Sequence, residues 1–321
     1  MIDERFFSIS SLHSIAPAKI NFFLHVTARR KDGYHELDSL TVFAKYGDNI
    51  SLEENPTKRH DSLHISGDFA DILNAEKNIS SNSVLKACRI WREAAQEQNI
   101  SLPFFNCFLE KNLPVAAGIG GGSADASATL NLLRQFYPIP HLKEADYRAL
   151  ALKLGADGPV TIDSMPKRMQ GIGEILTKIS NFPELGILLV NPRIKVSTPA
   201  IFKKLKIEKL QRVIFPEFPT NGWENAESLF SFLNQTRNDL QLPAIRLVPE
   251  IQKLLSQLKT LPACQIARMS GSGATCFALF KTKDDAMKAG KILRSSPNTP
   301  QNWWIWSGET YPSKQNPMKD F

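Results

Sequence analysis

Residues 114–127 read Pro114-Val115-Ala116-Ala117-Gly118-Ile119-Gly120-Gly121-Gly122-Ser123-Ala124-Asp125-Ala126-Ser127. Glycine has no side chain, so its backbone can close around a ligand and adopt positive φ. A helical, alanine-rich pattern begins directly behind the glycines. The free amides and positive dipole end of such a helix form an anion site, suited to a di- or triphosphate. This is not a Walker loop, because no Lys-Ser/Thr follows the last glycine. It is also too glycine-dense for a dinucleotide fingerprint. The competing interpretation is a flexible linker, but a linker seldom runs from an apolar strand straight into a helix of this composition.

Other residue types stand out less sharply. Lys19 interrupts an apolar, strand-like run over 18–26, where a bare ammonium needs a partner or an edge. Asp32-Gly33 is a turn signal, followed by Tyr34 and His35. Gly271-Ser272-Gly273 joins two strand-like segments, 266–270 and 274–280. Asp157 follows Gly155 at a helix end, where a turn carboxylate is ordinary.

These residues need elements to hold them. Strands are predicted over 18–26, 38–43, 49–53, 63–66 and 104–109 from β-branched and aromatic content. Helices are predicted over 83–98, capped by Asn82 or Ser83, and over 123–136 and 145–154. A second unit starts beyond Asp163, giving domains 1–163 and 164–321. In it, strands are expected over 169–175, 186–190, 266–270 and 274–280. Helices are expected over 229–234, 249–258 and 284–293, and another begins with Thr198 as cap and Pro199 in its first turn. Trp303-Trp304-Ile305-Trp306 reads as a terminal core strand. Residues 296–302 and those after 310 read as mobile. Strands and helices without regular alternation define an α+β class in two lobes.

The chain has 321 residues, 42% hydrophobic and 22% charged, which is enough apolar material for two cores. Its net charge of +7 suits nucleic acid or polyanionic small molecules. Basic and acidic residues are interspersed with no dense basic tract, which favours a solvated mixed surface and no nucleic-acid partner. Cys88, Cys107, Cys264 and Cys276 form no CxxC pair and lie in apolar stretches, so buried free thiols in a reducing compartment are expected. No run approaches the length of a membrane span, and the N-terminal stretch lacks a hydrophobic signal core. The expectation is a cytoplasmic protein with no membrane partner, as a monomer or weak homodimer.

Taken together, the motifs resemble those of the GHMP kinases. They are Pro17-Ala18-Lys19-Ile20-Asn21, Asp32-Gly33-Tyr34-His35, the triple-glycine loop, Leu154-Gly155-Ala156-Asp157, Gly171-Ile172-Gly173-Glu174 and Gly271-Ser272-Gly273-Ala274-Thr275, in the family's order. Within the family the chain is most similar to the members that phosphorylate a cytidine-diphosphate-linked sugar alcohol. The resemblance implies a ribosomal S5-like N-lobe, a ferredoxin-like C-lobe, and ATP with Mg²⁺ in the cleft between them.

It also implies roles. Lys19 and Asp157 would be the catalytic pair. The loop from Pro114 to Ala124, with Asn82 and Lys111, would bind ATP. Ser123 would reach phosphate or Mg²⁺, or serve as a plain N-cap, and Asp125 would support the helix dipole. Tyr34 and Phe202 would sandwich cytosine while His35 reads its edge. Asn21 and Thr198 would contact the substrate's polar groups, and Gly271, Ser272 and Gly273 would close over its diphosphate. Two departures stand out. Gly158 replaces the family's valine, and 161–168 lacks the usual Gly-Gly-Thr-Ala, which leaves the backbone after Asp157 in question. Another GHMP substrate, such as homoserine or a sugar alcohol, and a non-enzymatic RNA-binding role are the competing interpretations.

Overall fold

The apolar run expected as a strand over 18–26 is the middle of a longer one. The computed structural model describes residues 12–313 except 77, 156 and 206–215. In it, β1 covers Leu12–Arg29 and β2 covers His35–Glu54, paired antiparallel around the Asp32-Gly33 turn. The segments 38–43 and 49–53, expected as two strands, are therefore one. Lys45-Tyr46-Gly47-Asp48 between them lacks clean alternation, but pairing with β1 carries the ladder through, with register shifts taking up the misfit.

The first lobe continues with β3 (Ser62–Ser66), α1 (Ala70–Asn74), α2 (Ser83–Gln96), β4 (Phe105–Glu110), α3 (Gly121–Phe136) and α4 (Glu144–Leu154). It ends with α5 (Gly158–Thr161), β5 (Lys167–Gly171) and β6 (Ile175–Lys178). The strand expected over 169–175 is thus a hairpin. One edge of β2 carries β1, and the other carries β4 at one end and β5 at the opposite end. Because β5 and β6 hydrogen-bond into this sheet, the first sheet extends past the 163/164 division to Lys178.

The second lobe holds β7 (Gly186–Asn191), α6 (Thr198–Lys204), α7 (Ala226–Leu233), α8 (Gln241–Leu247) and α9 (Glu250–Lys259). Then follow β8 (Ile266–Met269), β9 (Cys276–Phe280), α10 (Lys283–Ser295) and β10 (Trp304–Glu309). Its antiparallel sheet has the order β10-β7-β9-β8. The tryptophan cluster does form a strand, with Trp304 buried and Trp306 stacked on Tyr46. The stretch 296–302, expected to be mobile, is tied down: Gln257 donates to the Asn298 carbonyl and the Thr299 hydroxyl meets Gln257. Thr310 and Tyr311 likewise bond back to Leu185 and Phe43, and residues 314–321 lie outside the described residues.

Apolar spacing sets the layers. In α2, Val84, Ala87, Cys88, Ile90, Trp91, Ala94 and Ala95 are buried, a helical stripe facing the first sheet. Small residues at 124, 126, 127 and 128 let α3 lie close against β1. A second core joins the lobes, with Ile20 and Phe22 from β1 meeting Ile187, Leu189 and Phe277 from the second sheet. All four cysteines are free. Cys88 and Cys107 are buried neighbours, and Cys264 is only half-buried.

Arg268 on β8 reinforces that seam. Its buried guanidinium donates to the Phe22 carbonyl at 2.5 Å, to the Leu233 carbonyl at 3.0 Å, and to the carbonyl and hydroxyl of Thr236 at 2.8 and 3.0 Å. Burial lowers its pKa to about 10, so it remains cationic at neutral pH. Replacing it with leucine takes this donor from the buried Phe22 and Thr236 carbonyls, while the Leu233 carbonyl keeps the N–H and hydroxyl of Thr236. Arg268→Leu should lower the unfolding free energy by about 2–4 kcal/mol in urea denaturation. A loss under about 0.5 kcal/mol would show that the seam does not depend on it.

Candidate active site

The cleft is built around the glycine loop. The loop leaves β4 and enters α3, with Gly120 rather than Ser123 in the N-cap position. Ser123 is the third residue of α3, with its side chain on the cleft wall. A cavity of about 550 Å³ runs between the lobes. Lys19, Asn21, Gly118, Gly120, Gly121 and Gly122 line one side, and Thr198, Phe202, Gly271 and Ser272 the other. Ala116, Ala117, Ser123 and Asp157 complete its walls. A smaller hollow of about 250 Å³ shares Ala116, Gly121 and Gly122 and is flanked by Asn82, Lys111, Pro114 and Val115. Ile119 and Ala124 are buried beneath the loop and support it from the core side.

Lys19 is 5% exposed, and its Nζ donates to Asp157 Oδ1 at 2.7 Å. The strand ammonium therefore has its partner, supplied from residue 157. Its backbone N–H bonds to the Ile119 carbonyl at 2.9 Å, which joins β1 to the loop. Ala156, inside the motif around Asp157, lies outside the described residues.

Among the loop's glycines, positive φ falls on Gly118 and Gly120, at 75° and 65°, and not on Gly121 or Gly122, and Ala116 adopts it as well, at 52°. A Cβ on Gly120 would press on the Lys19 side chain at 3.1 Å. A Cβ on Gly118 would lie 2.6 Å from Gly273 N and the Ser270 carbonyl. That contact reflects the way the second lobe clasps the loop. Thr275 donates its N–H to the Ala117 carbonyl, and the Ser270 hydroxyl donates to the Gly118 carbonyl. Ser270 also accepts the N–H of Asn21. The backbone N–H groups of Gly273 and Thr275 are thus already engaged, while Gly271 and Ser272 face the cleft.

Lys111, Asp125 and Asn82 each have partners within the protein. The Lys111 ammonium is 3% exposed and is held by Asp48 and by Asp125, the latter at 3.0 Å. It lies beneath Gly121, against the loop's underside. Burial opposes its charge, but the two carboxylates outweigh burial and raise its pKa. Asp125 lies past the first turn and is buried in this triad. Burial raises its pKa well above the usual carboxylate range, so it does not serve as an exposed charge at the helix start. Of the two candidate caps, Asn82 is the one used, its side-chain oxygen accepting the Val84 N–H at the start of α2.

On the far wall, Ser197 rather than Thr198 caps α6, and Thr198 Oγ1 meets Ser272 Oγ at 2.6 Å. Asn21 donates to Ser39 Oγ at 2.8 Å. His35 and Phe202 stack on each other at 4.6 Å, while Tyr34 is 62% exposed and stands off the cavity wall. The ring that faces Phe202 here is thus that of His35. Burial, and then Arg29, lower the pKa of His35. Sequence reasoning missed Ser270 and Asp48. Ser270 adjoins the Gly-Ser-Gly signal, whereas nothing local marks Asp48.

Among the described residues, no group of three or more His, Cys, Asp or Glu side chains could hold a metal by itself. A Mg²⁺ fits here as an ion carried on nucleotide phosphates with few protein ligands. Ser123 offers a hydroxyl on the cleft wall, whereas Asp125 is buried, with Oδ2 on Lys111 and Oδ1 without a hydrogen-bond partner.

The fold and loop define a GHMP kinase, and the comparisons agree: the chain belongs to this family. The models of the GHMP kinases N terminal domain and C terminal region match residues 82–163 and 214–298. It is 45% identical over 300 residues to the 4-diphosphocytidyl-2-C-methyl-D-erythritol kinase of Paracoccus denitrificans, covering 93% of this chain and 97% of that protein. The Granulibacter bethesdensis protein of the same name is 42% identical, covering 93% and 94%. A crystal structure titled 4-(cytidine 5'-diphospho)-2C-methyl-D-erythritol kinase superposes with a TM-score of 0.73 at 29% identity, covering 93% of this chain and 99% of that one. Homoserine kinase from Cytophaga hutchinsonii shares the fold, with a TM-score of 0.70 at 15% identity and 98% of each chain covered.

The loop geometry ranks its glycines. Gly120→Ala and Gly118→Ala should each raise the KM for ATP by about tenfold or more, since strained φ and a close contact coincide. Gly122→Ala, with ordinary φ and only an ordinary contact to Ser83 Oγ at 3.9 Å, should stay within about threefold. Equal effects at all three positions in steady-state kinetics would contradict this reading of the loop.

Proposed function

We propose that the protein transfers the γ-phosphoryl of ATP to the 2-hydroxyl of 4-diphosphocytidyl-2-C-methyl-D-erythritol, a step toward isoprenoid precursors outside the mevalonate route. The observation that carries the chemistry is the 2.7 Å Lys19–Asp157 pair on the wall of the glycine-loop cleft. The choice of substrate is supported by relatives 42–45% identical over most of the chain.

In this reading the loop amides and the start of α3 hold the ATP phosphates. Asp157 accepts the proton of the attacking hydroxyl. Lys19 lowers that hydroxyl's pKa and stabilises charge on the moving phosphoryl. Ser123 and the phosphate oxygens would hold Mg²⁺, which neutralises phosphate charge when bound. Phe202 and His35 form the aromatic wall for the cytosine, with Tyr34 closing from solvent. Asn21 and Thr198 position polar groups of the substrate, and Gly271, Ser272 and Gly273 border its diphosphate. The enzyme would work in the cytoplasm as a monomer or weak homodimer without nucleic acid.

The test is ATP consumption with the cytidine substrate against homoserine, mevalonate and galactose. Turnover with one of the latter, and none with the cytidine compound, would move the chain to another branch of the family. Asp157→Asn keeps the shape but cannot take the proton. It should lower kcat by about 10²–10⁴-fold with ATP binding largely intact; equal turnover would remove Asp157 from the chemistry.

Stacking on a base is worth about 1–3 kcal/mol, so Phe202→Ala should raise the KM of the cytidine substrate about 5- to 150-fold. The KM for ATP should move little, and Tyr34→Ala should have the smaller effect of the two. If both variants instead raise the ATP KM and spare the cytidine substrate, the two ends of the cleft are assigned in reverse.

A further inference from the structure

Lys19 is referenced to the glycine loop directly, through the Ile119 carbonyl and the Gly120 backbone. Asp157 reaches the same reference through α5, the short helix it precedes. This is the region where the chain departs from its family's pattern.

Thr161, at the end of α5, is fully buried. Its Oγ1 lies 2.9 Å from the Asp157 carbonyl, one helical turn back, and 2.8 Å from Ser127 Oγ on α3. Each hydroxyl carries one hydrogen and can accept others. The Gly158 and Ser123 carbonyls lie farther from Thr161 Oγ1, at 3.1 and 3.3 Å, and the shortest contacts are made when Thr161 donates to the Asp157 carbonyl and Ser127 donates to Thr161. A chain of two hydroxyls then links α3, whose first turn underlies the phosphate loop, to the backbone of Asp157.

The other side of α5 is held as closely. A Cβ on Gly158 would lie 2.0 Å from the Ala151 carbonyl of α4, so the glycine permits an approach that valine would block in this packing. Asn131 on α3 donates to the Ile162 carbonyl at 2.7 Å and accepts from Tyr147 on α4. Lys167 donates to the Val160 carbonyl at 3.3 Å and to Asp163. The divergent residues thus form a local fastening of their own.

We propose that Ser127 and Thr161 are positioning residues for the reaction. Their hydroxyl pair fixes α5 to the phosphate-loop helix, so that the Asp157 carboxylate stays in register with Lys19 and the bound phosphoryl group. The inference rests on the role given to Asp157 above. A displacement of about 1 Å at a reacting group can cost about 10²-fold in rate, which sets the scale of the effect.

The test uses the full-length protein with ATP and the cytidine substrate. Thr161→Val keeps the β-branched shape and removes the hydroxyl. It should lower kcat by about 10- to 100-fold with both KM values within about threefold, and Thr161→Ser should restore most of the rate. A packing role alone would be served as well by valine as by serine. On the Asp157→Asn background, Thr161→Val should cause no further loss, because it acts through that carboxylate.

Full kcat in folded Thr161→Val, or losses that multiply with Asp157→Asn, would overturn the proposal. If Thr161→Val does not fold, Ser127→Ala decides it by the same split between kcat and KM. If Asp157→Asn is itself fully active, the role given to Asp157 fails. If Asp157→Asn is inactive and Thr161→Val active, only the positioning role fails.

Discussion

A lysine ammonium buried in an apolar strand has to be given a carboxylate, and that requirement organises this molecule. Leaving such a charge unpaired costs several kcal/mol, on the order of what a domain has to spare. Lys19 finds its carboxylate at Asp157, 138 residues away, across a cleft that both must share. β1 carries the lysine past the loop, and α3, α4 and α5 together bring the aspartate back to it. Asp157 keeps partial access to solvent, with its side chain 34% exposed, while Lys19 is nearly enclosed. The pair is thus open on the side where a substrate hydroxyl would enter.

A second buried charge cluster works from below. Asp48, Lys111 and Asp125 bring strand β2, the end of β4 and helix α3 to one point under Gly121. Asp48 also accepts the N–H groups of Asn112 and Leu113, so the turn into the glycine loop is held at its base. Breaking one member of such a cluster leaves an uncompensated charge in the core. The cluster also removes a free carboxylate from the start of α3. An exposed negative charge there would compete with phosphate for the helix's positive end.

The lobes meet at the same loop. Ser270 and Thr275 hydrogen-bond to Gly118 and Ala117, and the close approach needs glycine at 118. The glycine loop is therefore held from three sides: by β1, by the buried triad, and by the 270–275 turn. A loop preorganised in this way would give up little freedom on binding the nucleotide proposed for it.

The sequence by itself determined the class of chemistry and much of the scaffold. A glycine loop running into an alanine-rich helix has few physical uses besides holding phosphate, and strong apolar periodicity placed α2, α3 and α9. Local signals also narrowed the α2 cap to Asn82 or Ser83 and marked Asp32-Gly33 as a turn and Gly271 to Gly273 as a tight connection. The tertiary structure decided what depends on pairing between distant residues. It merged two expected strands into β2, because β1 supplies the missing ladder. It gave Lys111, expected as a nucleotide contact, two buried carboxylate partners, Asp125 from the neighbouring helix α3 and Asp48 from β2, 63 residues away. It made Gly158 and Thr161 a fastening for Asp157, through contacts with Ala151 and Ser127 that no local pattern encodes. Spacing within one element is written in consecutive residues, whereas the partner of a buried charge or hydroxyl is known only once the chain has folded.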